Sequence, residues 1–226
     1  MKVWGVDGCR GGWFAVSNQG DIVLEVEFAA LLALADRGRL YVDMPIGLPD
    51  SERQLERLVR KRLSVRPGSI FSVPCRQAVY SASYKSACDI NAEITGKKLS
   101  KQSWYLCDKI KQIDILLRRH TPLRRRVMES HPELAYVIIN GGPLQASKKS
   151  RAGVTERLEV LSQRMPDVSR LFAEAEQRFP RKVLALDDIV DALVLMVVAT
   201  GVKKRLVAPG ECRDSYGIPI RMIVPA

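Results

Sequence analysis

The chain has 226 residues, of which 46% are hydrophobic, which is enough for one domain with a substantial core. Its five cysteines are scattered and include no CxxC pair, so the sequence indicates neither a disulfide framework nor a zinc site. The longest apolar run, residues 192–199, is much shorter than the roughly 20 residues that cross a membrane, and no signal peptide is recognisable. We therefore expect a reduced, cytoplasmic protein without a membrane partner.

The chain is strongly basic. Its 36 Lys and Arg residues against 25 Asp and Glu give a net charge of +11. A positive field of this size favours polyanionic partners such as nucleic acid, although many basic proteins use the excess only for solubility. The cationic residues are grouped near the ends of expected elements, in the segments 57–62, 97–101, 118–126, 148–151 and 203–205.

The N-terminal part begins with a glycine-rich hairpin. An apolar run ends at Asp7, glycines follow, and a second apolar run starts at Trp13, a pattern that predicts two strands joined by a tight turn. The following predicted elements are strands over residues 13–17, 22–28 and 40–44 and a short helix over 29–36. The strand predicted over residues 40–44 carries a second carboxylate, Asp43, at its end.

The middle of the chain is predicted to be mostly helical. After a loop rich in proline and glycine, Asp50 or Ser51 is expected to cap a helix that ends near residue 62. Residues 64–83 have no regular period and predict a long loop, whereas helical periodicity returns over 84–95 and 103–119. We expect a single domain over residues 1–226, with a helical insertion over about residues 64–119.

The C-terminal half alternates strands and helices, predicted over 126–129 (strand), 132–139, 155–164, 168–178 and 185–200 (helices) and 218–224 (a last edge strand). The helix over 185–200 is apolar around most of its surface, which predicts burial. Its first turns nevertheless carry Asp187, Asp188 and Asp191. Because unpaired buried carboxylates are costly, these acids indicate more than a favourable helix start.

Five carboxylates occupy comparable places, at strand ends or at a helix start: Asp7, Asp43, Glu129, Asp188 and Asp191. Sites in α/β sheets gather where strand ends meet helix starts. Like charges that converge there need a cation, and hard oxygen ligands select Mg²⁺ or Mn²⁺. Two such ions roughly 4 Å apart can activate water and stabilise the leaving oxygen of a phosphodiester. For Asp7 a plainer interpretation stays open, in which it caps the turn by accepting local N–H groups.

Five short segments carry a resemblance to a known family: VDGCRGGW (residues 6–13), DMPIGLP (43–49), ESHPE (129–133), KKSRAGVTERL (148–158) and DDIVDA (187–192). Together they resemble the domain of unknown function 429 (DUF429) family, described as predicted nucleases of the ribonuclease H-like (RNase H-like) fold. The resemblance implies an α/β fold, in which a mixed five-stranded sheet is flanked by helices and the first strand, the fourth strand and the last helix carry catalytic acids. By position, these metal-binding acids are Asp7, Asp43, Asp188 and Asp191. Bacterial Holliday-junction resolvases carry a similar final D-x-x-D, with a glutamate where this chain has Asp43.

Three basic residues near these segments are candidate substrate contacts: Arg10, Lys148 and Arg151. Each could bind a phosphate or neutralise a developing negative charge. Arg10 could instead pair with one of the acids, and Lys148 and Arg151 could lie in a solvated loop. His131 precedes the proline that starts a helix, so capping of the local backbone is favoured over a role as ligand or base.

The sequence thus predicts a Mg²⁺- or Mn²⁺-dependent nuclease or phosphodiesterase acting on DNA or RNA. In this hypothesis Asp7, Asp43 and Asp188 hold the metals, and the other two catalytic acids, Asp191 and Glu129, complete or orient the ligand shell. Two alternatives stay open: a non-catalytic nucleic-acid-binding module on the same scaffold, and an enzyme of nucleotide phosphoryl transfer. The sequence leaves the oligomeric state open, with a homodimer as one option.

Overall fold

The computed structural model of the protein describes residues 1–63 and 70–226. Two compact units divide the chain. The sheet unit consists of Met1–Met44, Arg125–Arg205 and Ile223–Ala226, and the helical unit consists of Pro45–Arg124 and Leu206–Met222. The predicted insertion over 64–119 falls within the helical unit, and its residues 64–69 lie outside the described part. No helix in the described ranges is both long and apolar enough to cross a bilayer.

The described residues form one seven-stranded sheet flanked by helices, so the fold is mixed α/β. The strands are β1 (Val3–Cys9), β2 (Gly12–Ser17), β3 (Ile22–Glu25), β4 (Arg39–Val42), β5 (Val127–Ser130), β6 (Lys203–Leu206) and β7 (Met222–Pro225). Their order across the sheet is β3-β2-β1-β4-β5-β7-β6. The β1–β2 and β2–β3 pairs are antiparallel, whereas β1, β4 and β5 run parallel.

The helices are α1 (Phe28–Leu34), α2 (Leu55–Arg62), α3 (Arg76–Val79), α4 (Tyr84–Thr95), α5 (Lys101–Arg119), α6 (Pro132–Asn140), α7 (Arg151–Ser162), α8 (Val168–Arg178) and α9 (Leu186–Thr200), with a 3-10 helix at Thr121–Arg125. The helices predicted over 84–95 and 168–178 are confirmed at both ends. The helix predicted from Asp50 or Ser51 begins later, at Leu55. The carboxylate of Glu211, remote in sequence, accepts the N–H groups of Gln54 and Leu55 and so supplies the cap.

The predicted number of five strands is wrong, because β6 and β7 extend the sheet beyond β5. The sequence of β6 is KKRL, and with three cationic residues it has no hydrophobic alternation that would predict a strand. Charged side chains are tolerated at this position because β6 lies at the sheet edge, where they reach solvent. The expected edge strand over 218–224 is also corrected: β7 begins at Met222 and lies between β5 and β6, so it is not at the edge.

Helix α9 is the centre of the sheet unit. It packs against β1, β2 and β4 on one side and against α6, α7 and α8 on the other. Every residue from Ile189 to Ala199 is buried, as the apolar sequence predicts. The helix backbone lies directly against β1 at Gly5, where an added Cβ would stand 1.9 Å from the Ala192 carbonyl oxygen and 2.3 Å from the Met196 amide nitrogen. Only glycine at this position permits so close an approach.

A buried arginine organises the helical unit. The guanidinium of Arg76 in α3 donates hydrogen bonds to both carboxylate oxygens of Asp114 in α5, at 2.8 and 2.7 Å. It also donates to Asp214 at 2.6 Å, and it lies 4.5 Å from the centre of the Tyr216 ring. One cation therefore joins the first segment of the helical unit to its C-terminal segment.

We expect Gly5→Ala to lower the free energy of unfolding by about 3 kcal/mol or more, because the methyl group would collide with two backbone atoms of α9. Chemical denaturation measures this change. Gly142→Ala is the matched control, because nothing lies within 4 Å of a Cβ added at that position. A loss at Gly5 no larger than that of the control would contradict the described contact between α9 and β1.

Candidate functional site

Two predicted acids lie at the same edge of the sheet because their strands are parallel. Val6 of β1 pairs with Val42 of β4, so Asp7 and Asp43, the next residue in each segment, are neighbours. The amide of Asp43 donates to the carbonyl of Val6 at 3.0 Å, which continues the pairing past the end of β4. By the alternation of side chains along a strand, Asp7 shares the sheet face of Gly5, and this is the face that α9 covers.

The start of α9 brings two more acids to this edge. Asp191 immediately precedes Ala192, whose carbonyl oxygen lies at Gly5, so the contact between helix and strand places Asp191 beside Asp7. The side chain of Asp191 is buried, with the residue 2% exposed. Asp188 lies one turn earlier, and its Oδ2 accepts the amide of Ala185 at 3.0 Å. Asp188 is therefore both a member of the cluster and a cap of the helix.

The four acids share a site in which the charged form of each is disfavoured. Burial raises the pKa of Asp7 well above its ordinary value, and the charges of the other three acids raise it further. Burial likewise raises the pKa of Asp43 to about 7 and that of Asp191 to about 6. The pKa of Asp188 rises to about 6, again mainly through burial. Such a group of carboxylates binds protons or another cation more readily than isolated acids do.

The cation that the structure places in this cluster is the ammonium group of Lys148. It forms an ion pair with Oδ2 of Asp191. Burial opposes the charge of Lys148, but the nearby carboxylates of Asp191, Asp7 and Asp43 outweigh this effect and raise its pKa above the ordinary value. Lys148 is thus a charged member of the cluster rather than part of a solvated loop.

Lys148 is held in place by the first turn of α7. A Cβ added to Gly153 would stand 1.9 Å from the carbonyl oxygen of Ser147, so the glycine permits direct contact between the helix and the chain just before Lys148. Ser150 caps α7, since its Oγ accepts the Gly153 amide at 3.0 Å and donates to the Ser147 carbonyl at 2.8 Å.

The next turn of α7 completes this support. The carboxylate of Glu156 accepts the amides of Gln145 and Ala146 at 2.8 and 2.9 Å. The fully buried guanidinium of Arg157 donates to the carbonyls of Ala146 and Gly153, and to the Glu133 carboxylate at 2.6 Å. Glu133 in turn raises the pKa values of Asp43 and Asp191, so it belongs to the electrostatics of the site.

Sequence reasoning missed Glu133 and Arg157. A signal for them was present: Val154, Arg157 and Leu161 follow the spacing of one buried helix face, and all three are buried. An arginine at a position that helical periodicity assigns to the core indicates a buried partner, because an unpaired buried charge is too costly to persist. The periodicity alone does not say which of the carboxylates in the chain is that partner.

The other predicted site residues, Glu129, Arg10 and Arg151, do not lie with the four acids. Glu129 is level with Val42 in the sheet register, so its side chain starts from the face opposite to that of Asp7 and Asp43, although its charge still raises the pKa of Asp43. Arg10 is exposed in the turn between β1 and β2. Arg151 pairs with Glu176 at 2.7 Å on the surface.

Hydrogen bonds show whether His131 and Asp7 cap the local backbone, as the sequence suggests for each. The Nδ1 atom of His131 accepts the amide of Leu134 at 3.2 Å, so the predicted capping role is confirmed. Asp7 accepts the amide of Gly8 through Oδ1 at 2.7 Å, as the turn-capping interpretation predicts. This bond uses one carboxylate oxygen and does not remove Asp7 from the cluster.

The cluster contains oxygen donors that could bind a cation, but its side chains are not arranged as the ligands of a metal ion. In the part of the chain that the structure describes, no group of three or more His, Cys, Asp or Glu side chains is arranged to hold a metal ion. Asp191 nevertheless keeps its Oδ1 buried without a hydrogen-bond partner among the described residues. A buried carboxylate oxygen in this state is costly, and it is a vacant acceptor for a cation.

Sequence comparison assigns the family. The model of the family described as "Protein of unknown function (DUF429)" matches residues 5–219, so the chain belongs to this family. The match includes every acid of the cluster together with Lys148 and its supporting helix. No curated protein and no solved structure matches the chain.

We expect Asp43→Asn to change how stability depends on pH. The pKa of Asp43 in the folded protein, about 7, lies above its ordinary value of 3.8, so ionisation of this group favours the unfolded chain. Stability that is present below the ordinary pKa is therefore lost in the wild type as the pH rises through about 7. Denaturant titrations in EDTA should show the asparagine variant gaining on the wild type between about pH 4 and about pH 7, with little further change above that range.

The control for this experiment is Asp108→Asn, because the side chain of Asp108 is 88% exposed. The free-energy difference between this variant and the wild type should stay constant over the same pH range. A constant difference for Asp43→Asn as well would show that Asp43 is not held in a charge-disfavouring environment.

We expect Arg157→Met to lower the free energy of unfolding by about 3 kcal/mol, because Glu133 would stay buried without the guanidinium. The double variant Arg157→Met with Glu133→Gln should recover part of this loss in a denaturation cycle. Arg151→Met is the matched control on the same helix. Its Arg–Glu pair is exposed, so it should cost less than about 1 kcal/mol.

Proposed function

We propose that the protein is a Mg²⁺- or Mn²⁺-dependent phosphodiesterase that hydrolyses nucleic acid. The acids that would hold the metal are Asp7, Asp43, Asp188 and Asp191. The observation that carries this proposal is the vacant Oδ1 of Asp191, a buried acceptor within a group of four carboxylates. Oxygen donors of this kind suit hard divalent cations.

The residues present fit such a cation by their chemistry. Four carboxylates and one ammonium leave the cluster with excess negative charge whenever the acids are ionised. A bound divalent cation would offset this charge, polarise a phosphoryl oxygen and lower the pKa of a coordinated water. Asp7 and Asp43 would hold it from the sheet, and Asp188 and Asp191 from the helix.

The arrangement of the acids supports an RNase H-like fold. That fold is expected to carry its acids on the first strand, the fourth strand and the last helix. Here Asp7 lies on β1, Asp43 directly follows β4, and Asp191 lies on α9, the last helix in the described ranges. The strands β3-β2-β1-β4-β5 are contiguous and mixed in direction, as the resemblance implies, and β6 and β7 would be an extension of this sheet.

Nucleic acid is the substrate class that the charge of the chain favours. The net charge of +11 attracts polyanions. Arg10 is exposed three residues after Asp7, where it could contact a phosphate beside the acids. Lys148 lies within the cluster, and its ammonium could neutralise charge on a phosphoryl group. Glu129 and Arg151 lie outside this group of metal-binding and phosphate-contacting residues. Glu129 would act through its effect on the pKa of Asp43.

A second candidate function, a non-catalytic nucleic-acid-binding module on the same scaffold, is favoured by one observation. The ammonium of Lys148 already provides a cation to the carboxylates. A protein that had lost turnover would need no metal, because this internal ion pair would satisfy part of the buried charge.

We expect the protein to cleave DNA or RNA in Mn²⁺ or Mg²⁺ but not in EDTA, and Asp7→Asn to lower the cleavage rate at least about a hundredfold. Asp7→Asn replaces a carboxylate that would bind the metal by a neutral amide of the same size. Gel assays on single-stranded, double-stranded and branched substrates measure the rate. Asp108→Asn, which removes an exposed carboxylate, should cleave like the wild type.

Salt-sensitive binding without metal-dependent cleavage would favour the non-catalytic module instead. Cleavage that survives Asp7→Asn unchanged would contradict the proposed site and point to a contaminating nuclease.

A further inference from the structure

The ion pair of Lys148 and the buried oxygen without a partner both involve the carboxylate of Asp191. Oδ2 of Asp191 is paired with the ammonium, whereas Oδ1 is buried without a partner among the described residues. One carboxylate therefore has a cation bonded to one of its oxygens and an unused acceptor in the other. Two cations at one buried carboxylate repel each other strongly in a medium of low dielectric constant, so they compete for it.

The side chain of Lys148 is placed so that its ammonium group can leave the cluster. Asp191 is almost fully buried, but the side chain of Lys148 is 32% exposed, so part of this side chain already reaches solvent. Its backbone is fixed by the contact of Ser147 with Gly153 and by the bonds of Glu156 and Arg157 to the preceding residues. The four-carbon side chain can therefore change rotamer while the main chain stays in place.

We propose that Lys148 and a divalent cation are alternative partners of the Asp191 carboxylate, and that the ammonium released by the cation becomes a contact for an anionic phosphodiester group beside the acids. This inference rests on the proposed function, because it concerns the same site. In the absence of a divalent cation the ammonium closes the site. With the cation bound, the same ammonium serves the substrate.

This exchange has a thermodynamic consequence. A phosphodiester that binds the released ammonium stabilises the state in which the divalent cation holds Asp191. The two ligands must then strengthen each other's binding by the same factor. The coupling depends on Lys148, since the other cationic candidates, Arg10 and Arg151, have no ion pair with Asp191 to give up.

The test compares Lys148→Met with Lys149→Met by calorimetric titration with Mn²⁺. Both variants lose one positive charge in adjacent positions, but Lys149 is exposed and lies outside the cluster. Removal of the competing ammonium should tighten Mn²⁺ binding at least about tenfold in Lys148→Met relative to Lys149→Met. Dimethyl phosphate, a simple phosphodiester, should tighten Mn²⁺ binding to the wild type and to Lys149→Met, and it should have no such effect in Lys148→Met.

The outcomes separate this inference from the proposed function. If Mn²⁺ binds the wild type but Lys148→Met binds it no more tightly than Lys149→Met, the exchange is overturned while the metal site stands. If Mn²⁺ binds none of the three proteins, both the exchange and the metal-dependent function are overturned.

A crystal of the wild-type protein soaked with Mn²⁺ gives a test that needs no variant to fold. The inference expects Mn²⁺ at Asp191, located by its anomalous signal, with the Lys148 ammonium no longer bonded to that carboxylate. Mn²⁺ at the acids with the ion pair between Lys148 and Asp191 intact would overturn it.

Discussion

The close contact between Gly5 and the backbone of α9 is the constraint on which the site depends. A side chain at this position would hold the helix away from the sheet, and Asp191 would then no longer lie beside Asp7. The parallel pairing of β1 with β4 adds Asp43 to the same edge. Three elements that are distant in sequence thus deliver their acids to one place because one glycine lets a helix lie directly on a strand.

A group of buried acids destabilises the fold unless a cation neutralises it, and here the cation is carried by a segment with a fixed backbone. Lys148 supplies the charge, while Gly153, Glu156 and Arg157 of α7 hold the segment that carries it. The bond from Arg157 to Glu133 ties the same support to a further carboxylate of the site. The segment from Lys148 to Leu158 therefore acts as one unit, in which the cation is placed by the helix that follows it.

Much of the fold follows from local patterns, and most of the site does not. Helix α9 is fixed by its continuous apolar sequence, and Asp7 and Asp43 stand out because each directly follows an apolar run. In contrast, the start of α2 depends on a carboxylate more than a hundred residues away, and the cationic sequence of β6 is compatible with a strand only because β6 lies at an edge of the sheet. The ion pair of Lys148 with Asp191 joins residues 43 positions apart, and no local period encodes such a partner. The opposite faces of Glu129 and Asp43 likewise follow from register, which becomes visible only when β4 and β5 are paired.

The position of α9 late in the chain has a consequence for synthesis. On the ribosome the strands β1 to β4 emerge long before the helix that covers them, so the face containing Gly5 and Phe14 lacks its cover until nearly all of the sheet unit has been translated. The acids on the sheet are then solvated and separate from Asp191. A nascent chain would therefore be unable to assemble the cluster, and any activity that depends on the cluster would be confined to protein whose synthesis has passed the last helix.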